Sequence, residues 1–515
     1  MNNQPLALTI DFGTQSVRTM IFDKTGQTIA MAKRPYEPAY FSLKPGYAEQ
    51  NPRYYWDTLC SATKELATKY PEILSRVTTM AMTCFRDSPV FLDKDMNVVR
   101  PTILWLDQRE STDKPNYGAL RNVLFKLTGL TDTVMMNTRR TPARWIKQHE
   151  PENWEKIAHY VHLSTFLTFL LTGKLIDSSA NQTGHFPIDF KKGEWYKDNA
   201  LKAPIFGIPR KLLCDLVKPG EQLGIVTEDC AHQTGLPQGL PIYAGGTDKG
   251  AETIGTGCLT NDMASISYGT ASSIEVSNPK YIEPEPFLPA YQASIPNLYN
   301  MEVQVYRGYW MVTWFKKEFG VSESAEATIQ KMATEEILNK AMMNIEPGSH
   351  GLVLQPYWGP SLRHPEAKGA VIGWTDTHTH IHLYRAIVEG IAYALREGLE
   401  GMEKRQHHKI KEIRVSGGGS QSDAICQITA DIFGLPVSRI QTYETASLGT
   451  AILAFTAHGD FSSYHDAIDA MVHPSKTFIP DHKAHTRYDY LYRKVYTKLY
   501  SKLKKFYVGL KEFNQ

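Results

Sequence analysis

Cysteine is scarce in this sequence and is never clustered. Only six of the 515 residues are cysteine, and no two of them form a Cys-x-x-Cys pair. This scatter argues against a zinc ribbon and against a framework of disulfide bonds. We therefore expect free thiols and a reducing, cytoplasmic environment.

The chain also lacks a strong excess of charge and a long hydrophobic run. Its formal net charge is +2, so no global field favours nucleic acid or an anionic membrane as a partner. No stretch approaches the roughly 18 apolar residues of a membrane span, and the N-terminal residues do not resemble a signal peptide. We expect a small-molecule substrate, no nucleic acid and no membrane, and we leave a homodimer open.

The common phosphate-binding loops are missing too. The sequence contains no GxxxxGK[ST] motif, and no GxGxxG motif opens a βαβ unit near the N-terminus. If the chain binds a nucleotide, separate loops have to hold it.

A short repeat is present and divides the chain into halves. "FGTQS" at residues 12–16 is echoed by "YGTAS" at residues 268–272, and each follows one apolar or β-branched run and precedes another. Because 515 residues exceed one ordinary core, the echo predicts two duplicated α/β domains that each begin with a β-hairpin. We place them at residues 1–254 and 255–515. Other predicted elements are strands at 6–10, 17–22 and 26–35, helices at 382–402 and 444–459, and a strand, loop and helix over 411–437.

Three glycine-rich loops follow predicted strands, at residues 11–16, 267–273 and 416–423. Exposed backbone N–H groups in such loops can approach a phosphate closely, and Thr14 and Thr270 add hydroxyl donors. A plain hairpin turn is the structural alternative for the first loop, and a linker is the alternative for the third.

Two carboxylates lie in or beside glycine-rich stretches. Asp11 precedes the first loop, and Asp248 lies in "AGGTDKGAETIGTG" at residues 244–257. A carboxylate repels phosphate unless a divalent cation lies between them. A carboxylate near the phosphate can instead take a proton from an attacking hydroxyl.

Together these features resemble the FGGY family of carbohydrate kinases, over nearly the whole chain. The motifs that carry the resemblance are "TIDFGTQSVRTMIFD" (9–23), "GYAEQNPRYYW" (46–56), "RPTILWLDQR" (100–109), "AGGTDKGAETIGTG", "SYGTASS" (267–273), "GLVLQPYWGPSLRHPEAKGAVIG" (351–373), "HLYRAIVEGIAYAL" (382–395) and "SGGGSQSD" (416–423). The resemblance implies an α/β fold of duplicated actin-like, ribonuclease-H-like ATPase domains flanking a catalytic cleft. It implies that the first domain binds the sugar and that the second binds ATP.

The resemblance also implies roles for individual residues, with ATP and Mg²⁺ as cofactors. Asp248 matches the general base, and Asp11 matches the acid that helps to hold magnesium; we group Asp248 with Asp11 as a candidate metal ligand. Candidate substrate-binding residues are Arg86, Asp87, Asp248 and Lys249. Candidate nucleotide-binding residues are Gly13, Thr14, Gln15, Gly269, Thr270, Gly417, Gly418 and Gly419.

The segment around Arg86 and Asp87 carries information about the substrate. Phe85-Arg86-Asp87 is more similar to the Gln-Arg-Glu run of the glycerol-kinase-like branch than to the Gln-Met-His run of the xylulokinase-like branch. Arg86 and Asp87 offer a donor and an acceptor to adjacent hydroxyls, and an ion pair at the strand end is the alternative. Lys249 and the pair 139–140 add positive charge, which indicates either an anionic sugar or further ion pairs with Asp87 or Glu49.

We therefore predict ATP-dependent phosphorylation of a hydroxyl on a small polyol or ketose such as xylulose, ribulose or glycerol. Phosphoryl transfer would be in line, with Asp248 as the base. The alternatives are a kinase of an aldonate such as gluconate and a sugar-sensing homologue without catalysis.

Overall fold

The computed structural model describes residues 4–513, apart from 114, 116, 128–130, 286–287, 359–363 and 365. The chain divides into two compact units. Unit 1 comprises Met1–Gly257, Tyr291–Tyr299 and Ala446–Val472, and unit 2 comprises Cys258–Ala290, Asn300–Thr445 and His473–Gln515.

The strands of the described residues follow in chain order. They are β1 Leu6–Phe12, β2 Ser16–Phe22, β3 Thr28–Pro35, β4 Glu49–Gln50, β5 Val77–Cys84, β6 Pro89–Leu92, β7 Val98–Arg100, β8 Thr102–Ile103, β9 His159–His162, β10 Ile176–Ser178, β11 Ile188–Asp189, β12 Glu194–Trp195, β13 Asp215–Val217, β14 Gln222–Ile225, β15 Pro241–Tyr243, β16 Met263–Tyr268, β17 Ser272–Asn278, β18 Tyr291–Gln292, β19 Tyr299–Val305, β20 Val353–Gln355, β21 Ala370–Ile372, β22 Glu412–Ser416, β23 Val437–Ile440 and β24 Pro474–Phe478.

The α-helices lie between and after these strands. They are α1 Pro52–Lys69, α2 Pro71–Leu74, α3 Ala119–Leu127, α4 Thr131–Arg140, α5 Pro142–His149, α6 Pro151–Lys156, α7 Leu163–Thr172, α8 Ala203–Phe206, α9 Glu228–Thr234, α10 Asp248–Gly255, α11 Trp310–Glu318, α12 Val321–Gln330, α13 Thr334–Met342, α14 His380–Gln406, α15 Asp423–Phe433, α16 Thr445–His458, α17 Tyr464–Met471, α18 His482–Leu491 and α19 Thr497–Phe513. No helix among the described residues is long and apolar enough to cross a membrane.

The main sheet of unit 1 has β1 and β5 at its centre. Its strand order is β14–β15–β5–β1–β2–β3. Strand β1 runs antiparallel to β2 and parallel to β5, β15 is parallel to β5, and β14 is antiparallel to β15. Every residue of β1 is buried, as expected for a central strand that is covered on both faces.

Unit 2 repeats this arrangement. The order β19–β17–β16–β22–β23–β24 occurs in its main sheet. Strand β16 is antiparallel to β17 and parallel to β22, β22 is parallel to β23, and β23 is antiparallel to β24. Strand β16 therefore takes the place of β1, which confirms the duplicated α/β fold predicted from "FGTQS" and "YGTAS".

Most predicted elements are present with small shifts of their ends. The strand predicted at 6–10 continues to Phe12, so Asp11 lies within it. The helix predicted at 382–402 begins two residues earlier and ends at Gln406, and the strand, loop and helix over 411–437 form β22 and α15.

Helix α1 shows how local sequence and core packing act together in unit 1. The side chain of Asn51 accepts a hydrogen bond from the backbone N–H of Arg53, and Pro52 occupies the first helical position. The inner face of α1 buries Tyr55 and Trp56 and packs against β2 and β3. The helix thus covers one face of the sheet that carries Asp11.

Candidate active site

Three chain segments meet at one edge of the main sheet of unit 1. Strands β1 and β5 are parallel neighbours, so their carboxyl ends lie at the same edge. The backbone N–H of Phe85 donates to the carbonyl of Phe12 (2.9 Å), and Cys84 forms a parallel bridge with Thr247. This edge therefore gathers the loops after β1 and β5 and the residue that precedes Asp248.

Asp11 is a buried carboxylate near the end of β1. Its residue is only 5% exposed. Arg18 lies opposite it on β2, and Nη1 of Arg18 donates to Oδ2 of Asp11 at 3.1 Å. The cation compensates part of the cost of burying the charge and holds the carboxylate in place.

The loop after β1 is a tight hairpin turn. The backbone N–H of Gly13 donates to the carbonyl of Ser16 at 3.0 Å, and Gln15 is exposed. Thr14 Oγ1 accepts a hydrogen bond from Trp105 Nε1 at 3.2 Å. Because a hydroxyl both donates and accepts, the proton of Thr14 remains able to donate to a ligand. The turn geometry and a ligand-binding role are therefore compatible.

Asp248 is the first residue of helix α10. Thr247 is the N-cap, and its Oγ1 accepts a hydrogen bond from the backbone N–H of Gly250 at 3.3 Å. The backbone N–H of Lys249 donates to Oδ1 of Asp248 at 2.9 Å. A carboxylate in the first turn also interacts favourably with the helix dipole. The partly buried Asp248 side chain is thus held in one orientation.

The surroundings of Asp248 make its carboxylate more basic than usual. Burial raises the pKa of Asp248 above its ordinary value, and the nearby negative charge of Glu252 adds to this effect. The positive charges of Lys249 and Arg86 oppose it without cancelling it. A carboxylate with a raised pKa is a better proton acceptor, as a general base requires.

Several charged residues expected near the substrate take part in local ion pairs. Lys249 Nζ lies 3.0 Å from Glu252 Oε2, one turn along α10. Glu49 Oε1 lies 2.7 Å from Nη1 of Arg109. Arg140 is exposed and lies 3.4 Å from Glu110. Lys249 and Arg140 therefore each have a carboxylate partner, which is Glu252 for Lys249 and Glu110 for Arg140. Glu49, which the sequence suggested as a possible partner for these cations, binds Arg109 instead.

Arg86 lies beside the ring of Tyr291, a contact that the sequence analysis did not predict. Its guanidinium carbon is 5.3 Å from the centroid of the Tyr291 ring, within the range of a cation–π contact. Tyr291 belongs to the segment Tyr291–Tyr299, which returns to unit 1 after the chain has entered unit 2. No local sequence pattern marks such a return.

Asp87 binds a histidine that sequence reasoning also missed. The backbone N–H of His185 donates to Oδ1 of Asp87 at 2.8 Å, and Nδ1 of His185 lies 2.7 Å from Oδ2. Burial alone would raise the pKa of Asp87, but the interactions with His185 lower it below its ordinary value. The Asp87 carboxylate is therefore occupied at this strand end, and its partner is His185.

The contact between these residues depends on Gly184. Its φ is +75°, and a Cβ atom built on it would lie 2.1 Å from Cγ of Asp87. Any side chain at this position would therefore collide with the carboxylate. The dipeptide Gly-His in "NQTGHFP" is the only sequence signal that could have drawn attention to His185, and it is a weak one.

In unit 2, the loop between β16 and β17 is hydrogen-bonded to the start of helix α11. The backbone N–H of Tyr309 donates to the carbonyl of Gly269 at 3.1 Å, and that of Trp310 donates to the carbonyl of Thr270 at 3.2 Å. The residue Thr270 is exposed. These bonds fix the loop and leave the threonine side chain accessible.

The loop after β22 lies against the same residues. Gly417 has a φ of +78°, and a Cβ on it would lie 2.8 Å from the carbonyl oxygen of Tyr268. Gly419 packs against the ring of Tyr309, whereas the position of a Cβ on exposed Gly418 has no atom within 4 Å. The candidate residues 269–270 and 417–419 are therefore neighbours, and Gly418 faces open space.

Comparison with known sequence families identifies the chain. The sequence model of the N-terminal domain of the FGGY family of carbohydrate kinases matches residues 6–255. The model of the C-terminal domain of the same family matches residues 264–458. The chain belongs to the FGGY family of carbohydrate kinases. As a member of this family, the protein is an ATP-dependent carbohydrate kinase.

Individual relatives of this FGGY kinase match it along almost its whole length. The uncharacterized sugar kinase YgcE of Escherichia coli K12 is 29% identical, over 95% of this chain and 92% of its own. A xylulose kinase of Lactococcus lactis is 28% identical, over 98% and 99% of the two chains. The crystal structure of xylulose kinase from Rhodospirillum rubrum has a TM-score of 0.81 at 26% identity and covers 98% of this chain and 99% of its own.

Proposed function

We propose that this FGGY kinase transfers the γ-phosphoryl group of ATP to a hydroxyl of a small polyol or ketose, with Asp248 as the general base. The observation that carries the proposal is the position of Asp248. It lies in the first turn of α10, at the sheet edge that also carries Asp11, and burial raises its pKa. The free thiols of all six cysteines support a cytoplasmic location as part of the proposal.

Asp248 would accept the proton of the attacking hydroxyl. The backbone N–H of Lys249 binds its Oδ1, and we assign proton acceptance to Oδ2. The helix N-terminus and the positive charges of Lys249 and Arg86 favour the ionised carboxylate, while burial raises its pKa and so increases its basicity. Positioning the hydroxyl and removing its proton are the two contributions of this residue.

Asp11 is our candidate for holding magnesium in the presence of ATP. Within the residues that the structure describes, no cluster of three His, Cys, Asp or Glu side chains could hold a metal. A single buried carboxylate nevertheless fits magnesium, which usually binds one or two carboxylates together with water and substrate phosphates. When bound with ATP, magnesium would offset negative charge on the β- and γ-phosphate oxygens. Arg18 would keep Asp11 in place.

The glycine loops are our candidates for binding the nucleotide. In unit 1, the Thr14 hydroxyl and the backbone N–H of Gln15 would donate to phosphate oxygens, and Gly13, whose N–H binds the carbonyl of Ser16, would shape the turn. In unit 2, the exposed Thr270 and the open surface over Gly418 are further candidates for nucleotide contacts. The donors of the unit 1 loop would orient the transferring phosphoryl group for in-line attack.

The ion pairs favour a neutral acceptor over an aldonate. Glu252 offsets the charge of Lys249, and Asp87 is paired with His185. Arg86 contacts Tyr291 and lies close enough to Asp248 to lower its pKa. A carboxylate on the substrate would therefore find few positive charges that are not already offset, and it would approach the negative charge of Asp248.

A release assay for ADP tests the proposed function directly. The acceptors to compare are glycerol, tetritols, pentitols, ketopentoses, deoxyketoses and aldonates, each with ATP and magnesium. We expect turnover of a neutral polyol or ketose. Turnover of aldonates alone would replace the neutral acceptor with an anionic one, and turnover of none would favour the sugar-sensing alternative.

The pH dependence should report the raised pKa of Asp248. Because the base must be ionised, kcat/KM should fall as the pH is lowered through a value above the ordinary aspartate pKa of about 3.9. Lys249→Met removes a charge that lowers this pKa, so the acidic limb should move to higher pH. Initial rates between about pH 4.5 and 8 measure the limb. Lys24→Met is the control, since Lys24 pairs with Asp460; an unmoved limb in Lys249→Met would contradict the assignment.

The N-cap of α10 should matter for activity as well as for stability. Thr247→Ala removes the hydrogen bond to Gly250 and should lower the free energy of unfolding by about 1 kcal/mol. It should also lower kcat/KM roughly tenfold or more, because Asp248 loses its fixed position. Urea unfolding and initial rates measure the two effects.

Thr227→Ala is the matched control. Thr227 caps α9 through the same kind of bond, to the backbone N–H of Cys230 at 3.2 Å. It should show the same loss of stability with normal activity. Equal activity in the two variants would mean that the α10 cap does not position the base.

A further inference from the structure

We infer that His185 determines acceptor specificity by accepting a hydrogen bond from a substrate hydroxyl at Nε2, while Asp87 holds its ring. This inference rests on the proposed function, since it concerns the acceptor site beside Asp248. It assigns the direct contact with the hydroxyl to His185 and gives Asp87 a positioning role.

The hydrogen bonds of Asp87 define which nitrogen of His185 faces the ligand. An ionised carboxylate can only accept hydrogen bonds. The backbone N–H of His185 occupies Oδ1 of Asp87, so Nδ1 must carry the proton that is donated to Oδ2. In a neutral imidazole the other nitrogen, Nε2, is then an acceptor.

The backbone conformations of Asp87 and of Gly184, the residue before His185, fix the geometry of the Asp87–His185 pair. Asp87 has a φ of +52°, which is uncommon for a residue other than glycine, and Gly184 has a φ of +75°. A left-handed conformation of a residue other than glycine persists only where the surrounding structure holds it, and such conformations concentrate at functional sites. Here the hydrogen bonds from His185 hold Asp87, and the glycine at 184 leaves the space that the Asp87 carboxylate needs.

The pair is accessible and lies close to the proposed base. Each of its two side chains is 21% exposed, so neither is sealed in the core. Asp87 lies three residues after Cys84, which forms a parallel bridge with Thr247, the residue before Asp248. A donor on Arg86 and an acceptor on His185 would suit two adjacent hydroxyls of one neutral substrate, that is, a vicinal diol.

Selectivity against deoxy analogues is the direct consequence. A site that hydrogen-bonds a hydroxyl rejects the analogue that lacks it, because the buried polar group is then left without a partner. We expect the wild-type enzyme to prefer its acceptor over at least one singly deoxygenated analogue by roughly tenfold or more in kcat/KM.

Two substitutions at His185 separate the contact with substrate from the pairing with Asp87. In His185→Asn, the amide nitrogen lies near the position of Nδ1 and can still donate to Asp87, but nothing replaces Nε2. In His185→Gln, the amide lies near the position of Nε2, and the bond to Asp87 is lost. The unfolding midpoint of each variant, measured in urea, shows whether the variant is folded.

For His185→Asn we expect the acceptor KM to rise about tenfold or more, with kcat and the KM for ATP close to wild type. The preference for the parent acceptor over the critical deoxy analogue should disappear. His185→Gln should keep a measurable part of that preference. A purely structural role would instead lower stability without abolishing the preference.

Each outcome is informative. The inference would be overturned if the wild-type enzyme preferred its acceptor over each singly deoxygenated analogue by less than about twofold in kcat/KM. Unchanged selectivity in a folded His185→Asn variant would also overturn it. If His185→Asn does not fold, loss of all selectivity in His185→Gln would overturn the inference as well, because Gln is expected to retain part of it. A wild-type enzyme that phosphorylates no acceptor overturns the proposed function itself, which is a distinct result.

Discussion

Asp248→Asn is expected to reduce phosphoryl transfer about 1,000-fold or more, while ATP binding stays close to wild type. The substitution keeps the size of the side chain and a hydrogen-bond acceptor for the backbone N–H of Lys249. It removes the only feature that we assign to chemistry, which is the ability to take the proton from the attacking hydroxyl. The rate with the acceptor found in the ADP-release screen measures the loss, and calorimetric titration with ATP measures binding.

Two further variants make this result specific. Asp229→Asn changes the same functional group in the first turn of α9, and it should retain wild-type activity because Asp229 accepts its hydrogen bond from Gln233, away from the candidate site residues. Asp248→Glu keeps a base but displaces it by one methylene, so it should have an intermediate rate. An Asp248→Asn enzyme with a wild-type rate, confirmed to be free of wild-type protein, would refute the assignment of the base.

The hairpins and the glycine loops could be predicted because their signals are local. Alternating apolar runs around "FGTQS" and "YGTAS" specify strands that pair through a short turn, and both turns occur where the sequence indicates. The same holds for β22 and α15, which flank the third loop. Nothing in these segments requires knowledge of distant contacts.

The partners of the candidate residues could not be predicted in this way. His185 binds Asp87 across 98 positions of sequence, and Tyr291 reaches Arg86 only because the chain returns to unit 1. Glu252 is an intermediate case, since its pairing with Lys249 at a helical spacing of three follows once α10 is known to begin at Asp248. Tertiary contacts of this kind decide how much of the local charge remains for a substrate.

Asp11→Asn should lower kcat about 100-fold and raise the magnesium concentration needed for half-maximal rate. Asparagine fits the same buried space on β1 but carries no negative charge, and Arg18 then lacks the carboxylate that it contacts at 3.1 Å. The local charge therefore changes from nearly balanced to positive, which disfavours a divalent cation. Initial rates at fixed ATP over a series of magnesium concentrations measure the shift.

Binding measurements and a matched variant decide between a role in holding the cation and a purely structural role of the Asp11–Arg18 pair. Calorimetric titration of Asp11→Asn with ATP should show a smaller effect of magnesium on affinity than in the wild type. Asp23→Asn is the control, because Asp23 lies at the far end of β2. Its carboxylate accepts hydrogen bonds from backbone N–H groups of the turn between β2 and β3. Loss of stability with an unchanged magnesium dependence would make Asp11 a structural residue, and the proposed mechanism would then retain only Asp248 as an acting carboxylate.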